Sequence, residues 1–177
     1  EGDTFRALPG TEALGREQYP VVLPYGDGRL LVGTRAGGLW LYDGTALTRF
    51  PTDLDAEWPS MVLYRGTALP DGSFALATTT SGLMILDRQG RLLTRLDMSS
   101  GLPSNAVYFV MADREGGVWL ALDRGLARVE TPSAATYFDS SDGYLGNFNL
   151  TRHEGRVYLA GQTGVSFVEP AVAGRRA

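Results

Sequence analysis

The chain has 177 residues, 44% of them hydrophobic and 20% charged, which is typical of a soluble globular protein. Its net charge is −4 and it has no lysine, which argues against nucleic acid as a partner because phosphate binding needs clustered positive charge. The absence of cysteine excludes disulfides, thiolate metal sites and a cysteine nucleophile. No apolar run reaches the roughly 18 residues of a membrane span, so we expect no direct membrane insertion.

The chain begins without Met and inside a strand-like stretch, so we expect a piece of a longer polypeptide. Its first predicted element is a short polar strand at residues 3–9, where Thr4-Phe5-Arg6-Ala7-Leu8 resembles the ends of later units at 48–50 and 94–96. This stretch is predicted to be the outer strand of a sheet whose other strands lie elsewhere.

After this stretch, a unit of four short strands occurs four times. Each unit has an apolar strand, a tight glycine turn, a second strand, and a third strand that opens on another glycine. The glycines that open the third strands are Gly38, Gly82, Gly125 and Gly164, at spacings of 44, 43 and 39 residues. The fourth strands are predicted at 47–50, 92–96 and 136–138, and the last unit has no clear fourth strand.

A period of about 40–45 residues with four strands per unit is the pattern of a β-propeller. The fold is therefore predicted to be all-β, with residues 1–177 forming a single propeller segment of about four antiparallel blades. The blades are predicted at about 19–50, 58–97, 102–138 and 143–170. Three arrangements remain open: a closed four-bladed ring, part of a larger seven- or eight-bladed propeller, or a homodimer of eight blades.

The third unit carries the most specific motifs. It has Gly-Leu-Pro-Ser-Asn-Ala-Val at 101–107, then Asp-Arg-Glu-Gly-Gly-Val-Trp-Leu at 113–120, then Gly125-Leu126. This resembles the two-component regulator propeller repeat, although Ala121-Leu122 stands where the repeat has Gly-Thr. The fourth unit resembles the final blade of such propellers. The resemblance covers most of residues 19–170.

The resemblance implies a ligand-binding sensor module of a bacterial signal-transduction protein, located in the periplasm or outside the cell and not catalytic by itself. It further implies a small-molecule or glycan ligand, and downstream signalling domains in the same membrane-anchored polypeptide.

Propellers commonly bind ligands at one face, on the loops that join the second to the third strand and those that enter the first strand. These loops are rich in hydrogen-bonding groups, and arginine can bind a carboxylate through two parallel hydrogen bonds. The candidate ligand-binding residues are Arg35, Trp58, Thr80, Ser104, Asn105, Asp123, Arg124, Asn147 and Gln162.

No catalytic residue, metal site or cofactor is predicted. His153 is the single histidine and is expected in an exposed turn, too isolated for a zinc site or a serine triad. The acidic run at 53–57 lacks the glycine spacing of a calcium loop. Trp40 and Trp119 are expected to fill the gaps between blades.

Two other functions stay open. Propellers also host lyases and glycoside hydrolases, and a glycosidase needs two carboxylates roughly 5–10 Å apart, for which the loops offer many acids but no marked pair. Alternatively, the blades serve as a protein-interaction scaffold, for instance through an open blade edge.

Overall fold

A computed structural model describes residues 4–12, 14, 21–130, 135–138, 147–161 and 164–168. These residues form fifteen strands in four antiparallel sheets, and a short 3-10 turn lies at Met98–Ser100. The all-β class and the four-unit repeat predicted from the sequence are therefore confirmed.

Each sheet pairs strands in the order in which they follow along the chain. The first blade consists of β1 (Val21–Gly26), β2 (Arg29–Thr34), β3 (Gly38–Tyr42) and β4 (Leu47–Phe50). The second consists of β5 (Leu63–Ala68), β6 (Phe74–Thr78), β7 (Leu83–Leu86) and β8 (Leu92–Leu96). The third consists of β9 (Val107–Ala112), β10 (Gly117–Leu122), β11 (Gly125–Glu130) and β12 (Ala135–Phe138). The fourth contains β13 (Asn147–His153), β14 (Arg156–Gly161) and β15 (Gly164–Phe167).

The turns explain several of the glycines and acidic residues. Asp27, with φ of 53°, and Gly28, with φ of 74°, turn the chain between β1 and β2 in the left-handed region that hairpin turns require. Gly82 has φ of 81°, and a Cβ built there would lie 2.0 Å from the Leu96 carbonyl oxygen, so the backbones leave no room for a side chain. Asp43 caps the turn between β3 and β4, where N–H groups of Ala46 and Thr45 lower its pKa to about 2.

Three apolar cores lie between successive blades, because the second and third sheets bury side chains from both faces and the first and fourth bury those that face their neighbours. The first core lies between blades one and two and includes Leu31, Leu39, Trp58, Phe74 and Met84. The second core lies between blades two and three and includes Ala75, Leu83, Val107, Val118 and Leu120. The third core lies between blades three and four and includes Trp119, Ala121, Leu126, Leu150 and Leu159. The expectation that Trp119 fills a gap between blades is confirmed, whereas Trp40 is only half-buried.

The first strands of successive blades lie side by side: β1 contacts β5, β5 contacts β9, and β9 contacts β13. These four are the inner strands of the propeller. Three of them share a β-bulge near their start. In β5, Leu63 pairs with Thr78 and Arg65 with Ala77, so Tyr64 has no partner in the ladder. Tyr108 occupies the same place in β9, and the register of β13 shifts between Asn147 and Asn149.

A buried ion pair holds the turn between β9 and β10. The Asp113 side chain is 1% exposed and accepts hydrogen bonds from the backbone N–H groups of Gly117 and Glu115 and from the Arg128 guanidinium at 2.9 Å. Burial alone would raise the pKa of Asp113, but these donors outweigh it and the pKa lies below its usual value. Because Asp113 sits in a turn and its oxygens are already used, its role is structural.

The two ends of the blade array differ. The outward surface of the first blade, formed by Val22, Leu30, Val32 and Tyr42, is here called its rear face. Residues of the N-terminal segment, Leu8, Thr11 and Leu14, line a groove of about 290 Å³ with it, and the Tyr42 hydroxyl donates to the Pro9 carbonyl at 3.1 Å. The outer strand predicted at residues 3–9 is not seen: residues 4–9 form no strand and are exposed, and only Leu8 and Pro9 are seen in contact with the first blade.

Among the described residues, nothing covers the surface of the fourth blade that faces away from the third. This surface, here called the forward face, consists of Tyr158, Ala160, Val165 and Phe167, which pair across β14 and β15. Val165 is 74% exposed and Phe167 is 42% exposed. In a closed four-bladed ring this face would be buried against the first blade. Within the described residues, the array is therefore open rather than closed.

Candidate functional site

One rim of the array is built from the loops that the sequence singled out. The N–H of Leu63, at the start of β5, donates to the Arg35 carbonyl at 3.0 Å, and Thr79 N–H donates to Val62 at 3.0 Å. The same arrangement recurs one blade later, where Gly82 N–H donates to Asn105 at 2.9 Å and Asp123 N–H to Ala106 at 3.2 Å. These hydrogen bonds join the loops entering the inner strands to those between the second and third strands.

The polar side chains predicted at this rim fall into two groups. Thr80, Ser104 and Asn105 accept hydrogen bonds from the backbone N–H groups of Val62, Ala106 and Met98 at 3.2, 3.0 and 2.8 Å. Their oxygens therefore help to shape the loops. Arg35, Asp123 and Arg124 are exposed at the rim, and they remain the predicted side chains with the readiest access to a dissolved ligand.

Trp58 does not lie where an exposed loop aromatic would. It is 1% exposed and belongs to the core between blades one and two, with its indole N–H donating to Thr52 Oγ1 at 2.9 Å. A Cβ at Gly38 would lie 2.8 Å from Trp58 Cδ1, so the glycine opening β3 makes room for the indole. In this structure Trp58 packs the core and presents no ring face to a ligand.

Asn147 begins β13, where it pairs with Gly161 of β14. Its side chain and the whole of Gln162 lie outside the described residues. Their predicted binding roles stay predictions.

A cleft that the sequence did not reveal lies between the inner strands of blades two, three and four. It has a volume of about 340 Å³ and is lined by Tyr64, Arg65, Tyr108, Phe109 and Asn149. The two tyrosine rings meet edge to face with centroids 5.8 Å apart, and the Arg65 guanidinium lies 5.0 Å from the centre of the Tyr64 ring. Tyr64 and Tyr108 are the unpaired residues of the two bulges, so the bulges aim the aromatic side chains at this cleft.

The cleft combines few but convergent polar groups with apolar surface, which is the usual composition of a small-molecule site. Arg65 and Asn149 are exposed, while Tyr64 and Tyr108 are half-buried. Ring faces suit the flat apolar side of a sugar or another ring, and the guanidinium and amide suit its oxygens. Leu63-Tyr64-Arg65 and Val107-Tyr108-Phe109 occupy matching repeat positions, and that coincidence is the sequence signal that could have pointed to the cleft.

The acidic residues near the first core have protein partners. Asp53 Oδ2 accepts from Leu92 N–H at 2.9 Å, Asp55 pairs with Arg49 at 3.2 Å, and Glu57 accepts two bonds of 2.8 Å from Arg95. No group of three His, Cys, Asp or Glu that could hold a metal occurs among the described residues. His153 is exposed at the end of β13, as expected.

Comparisons with known proteins agree with this geometry at the level of fold. No protein-family model and no curated protein matches the sequence. Among solved structures, the chain is similar to the extracellular domain named as that of the hybrid two-component system BT3049 from B. thetaiotaomicron, with TM-score 0.68, 17% identity and coverage of 86% of this chain and 23% of that one. The chain is part of a β-propeller. The resemblance to two-component regulator propellers is thereby confirmed for the fold.

Two further propeller structures extend the comparison. The extracellular domain of the one-component system BT4673 from B. thetaiotaomicron gives TM-score 0.68 at 15% identity, covering 85% of this chain and 22% of that one. A catalytically inactive virginiamycin B lyase from Staphylococcus aureus gives TM-score 0.60 at 10% identity, covering 88% and 57%. The chain thus spans less than a quarter of the length of these two extracellular domains.

Proposed function

We propose that this propeller segment is a ligand-binding sensor module of a bacterial signal-transduction protein and is not catalytic by itself. Two supports are independent of each other: its fold is that of domains named as extracellular parts of one- and two-component systems, and its inner strands form an open cleft with ring and cationic groups. The cleft is the observation that carries the proposal, because a sensor needs a site that binds its signal molecule.

The extracellular position of those neighbours supports a periplasmic or extracellular location for this chain, with signalling domains further along the same polypeptide. Among the described residues, no helix is long and apolar enough to cross a membrane. Any membrane anchor and output domain belong to the longer protein that the proposal implies.

The proposed ligand is a small hydroxylated or anionic molecule, such as a glycan fragment. Tyr64 and Tyr108 would contact its ring, Arg65 and Asn149 its oxygens, and Arg35 and Arg124 at the rim would attract negative charge. The chain's net charge of −4 creates an overall electrostatic field that repels anions, so an anionic ligand would depend on these arginines for attraction.

The test is a thermal-shift screen of neutral and acidic mono- and oligosaccharides, followed by calorimetric titration of the hits. Arg65→Ala should weaken binding by at least about tenfold, since a charge-assisted hydrogen bond contributes about 1.5–3 kcal/mol. Tyr108→Ala should weaken binding more than Tyr108→Phe, which keeps the ring. Arg91→Ala, at a 70% exposed arginine on the turn between β7 and β8, is the control.

Unchanged affinity in Arg65→Ala and Tyr108→Ala would remove the cleft from the proposal. The rim would then be tested by Arg35→Ala with Arg124→Ala. A screen without any shift would contradict ligand sensing by this segment.

A second candidate, a propeller enzyme such as a lyase or glycoside hydrolase, is supported by the likeness to the virginiamycin B lyase. Product release from the ligands that bind, followed by mass spectrometry, distinguishes it from a sensor. A third candidate, a protein-interaction scaffold, is supported by the uncovered fourth blade. In that case, affinity for a protein partner would be found without any small-molecule shift.

A further inference from the structure

The cleft between the inner strands holds an arginine whose charge the protein does not neutralise. One N–H group of Arg65 donates to the Tyr64 carbonyl at 3.1 Å, and the side chain lines the cleft. Among the described residues, no carboxylate lies within ion-pair distance of Arg65, whereas Arg49 and Arg95 each pair with an acid. A guanidinium carries donors only, so Arg65 offers a ligand a positive charge and N–H groups.

Asn149 adds a second donor to the cleft. Its amide oxygen accepts a hydrogen bond from the Leu150 N–H at 2.9 Å. Only the oxygen of an amide accepts from an N–H group, so this bond fixes the orientation of the amide and leaves its NH2 group for a ligand. No acidic side chain lines the cleft among the described residues. Arg65 and Asn149 therefore form a set of donors, one charged and one neutral.

A set of donors is matched by a ligand group that only accepts hydrogen bonds. A carboxylate has two such oxygens and no hydrogen of its own. A guanidinium binds it through two parallel charge-assisted hydrogen bonds, whereas a sugar hydroxyl offers a single acceptor oxygen and no charge. The polar groups of the cleft therefore favour an acid over a neutral sugar.

The aromatic side chains define the rest of the ligand. Tyr64 and Tyr108 meet edge to face with centroids 5.8 Å apart, and Phe109 lines the same cleft. Ring faces suit the apolar side of a sugar ring, and tyrosine hydroxyls can both donate and accept, as sugar hydroxyls do. The volume of about 340 Å³ lies near the lower end of the range of about 300–1,000 Å³ for small-molecule sites, so we expect one or two sugar rings.

We propose that the cleft is selective for sugars that carry a carboxylate, namely uronic acids and their short oligomers, and that Arg65 and Asn149 determine this specificity. The inference rests on the proposed ligand-binding function and narrows its ligand class. The chain's net charge of −4 works against any anion. A preference for an acid over its neutral ester would therefore come from the cleft and not from the overall charge.

Calorimetric titration with matched sugars tests the selectivity. The galacto, gluco and manno series are each compared as the neutral sugar, the uronic acid and the methyl ester of that acid, which differs from the acid chiefly in charge. In at least one series the acid should bind about tenfold more tightly than its ester, because hydrogen bonds between charged groups are the stronger ones. Added salt should weaken binding of the acid and leave binding of the ester unchanged.

Two substitutions in the cleft test the assigned residues, and both positions are exposed, so the chain should fold. Arg65→Gln removes the charge and should weaken binding of the acid about tenfold, while the ester changes by less than about threefold. Asn149→Asp keeps an oxygen for the Leu150 N–H but replaces the donor with a carboxylate, so it should weaken binding of the acid at least about tenfold. Arg91→Gln, at a 70% exposed arginine on the turn between β7 and β8, makes the same change in net charge and should leave every affinity unchanged.

The outcomes separate this inference from the proposed function. Equal affinity for acid and ester, in a site that Tyr108→Ala still weakens, would overturn the selectivity and leave ligand binding by the cleft intact. A preference for the acid that survives Arg65→Gln would overturn the role of Arg65. Absence of binding by every acid, ester and neutral sugar would overturn both the inference and the proposed function.

Discussion

Trp58 offers the clearest test of the difference between sequence and structure. The sequence predicts that it binds a ligand, whereas the structure buries it in the first core. As an exposed loop aromatic, its loss would affect ligand affinity and leave stability almost unchanged. As the 1% exposed residue of the first core, its loss should unfold the interface between blades one and two.

The expected cost of Trp58→Ala follows from area and hydrogen bonding. A tryptophan side chain buries up to about 250 Å². At about 25 cal/mol per Å², this contributes at most about 6 kcal/mol, and partial burial in the denatured chain lowers the figure. Loss of the bond to Thr52 adds about 1 kcal/mol. We expect a loss of about 4 kcal/mol, within the range of about 3–5 kcal/mol that such truncations show.

The assay is equilibrium unfolding in urea, followed by far-UV circular dichroism so that the missing indole does not alter the signal. Trp58→Phe, which keeps a ring but loses the N–H, should cost about 1–2 kcal/mol. Leu93→Ala, on an exposed part of β8, should stay within about 0.5 kcal/mol. A loss below about 1 kcal/mol for Trp58→Ala would refute the assignment to the core.

The other predictions concern the stability effects of a buried ion pair, a glycine and a surface salt bridge. Asp113→Asn should lower the free energy of unfolding in urea by about 2 kcal/mol, because hydrogen bonds to a charged acceptor contribute about 1.5–3 kcal/mol. The buried carboxylate accepts from Arg128 and from two backbone N–H groups, and Arg128 keeps its ion pairs with Glu115 and Glu130 in the variant. Since the folded pKa of Asp113 is lowered, the carboxylate stabilises the fold above its unfolded pKa of about 3.9. This contribution is lost as the pH falls through the folded pKa. When urea unfolding is repeated across pH, the free energy of unfolding of the variant should therefore fall less steeply at acidic pH than that of the wild type. Gly82→Ala should cost at least about 2 kcal/mol more than Gly28→Ala, because only the first would meet backbone atoms; equal melting temperatures would contradict this. Arg95→Met should cost less than about 1 kcal/mol despite its two bonds to Glu57, because both side chains are over one-third exposed; a double-mutant cycle with Glu57→Gln measures the coupling.

The local elements could be read from the sequence because each depends on neighbours in the chain. Strands β4 and β8 begin and end where the pattern predicts. Asp27-Gly28 and Asp71-Gly72 form the turns that join β1 to β2 and β5 to β6. The repeat then implies sheets of sequential strands, since a four-strand unit with short turns has little other way to pair.

Features that depend on several blades at once could not be read in this way. Trp58 lies in a polar stretch, and its burial follows from the space that Gly38 leaves in a neighbouring strand. Tyr64 and Tyr108 look like ordinary residues of apolar strands, and only the bulges turn them toward the cleft.

The three separate cores also determine how the molecule opens. Each blade gains its tertiary stability from its immediate neighbours, so the free energy of unfolding approximates a sum of blade and interface contributions. Blades two and three have a neighbour on both sides, whereas β15 in the fourth blade is exposed along its whole length. Amide hydrogens of β6 and β10 should therefore exchange with solvent most slowly and those of β15 most rapidly, and a perturbation in one blade should weaken chiefly the blades beside it.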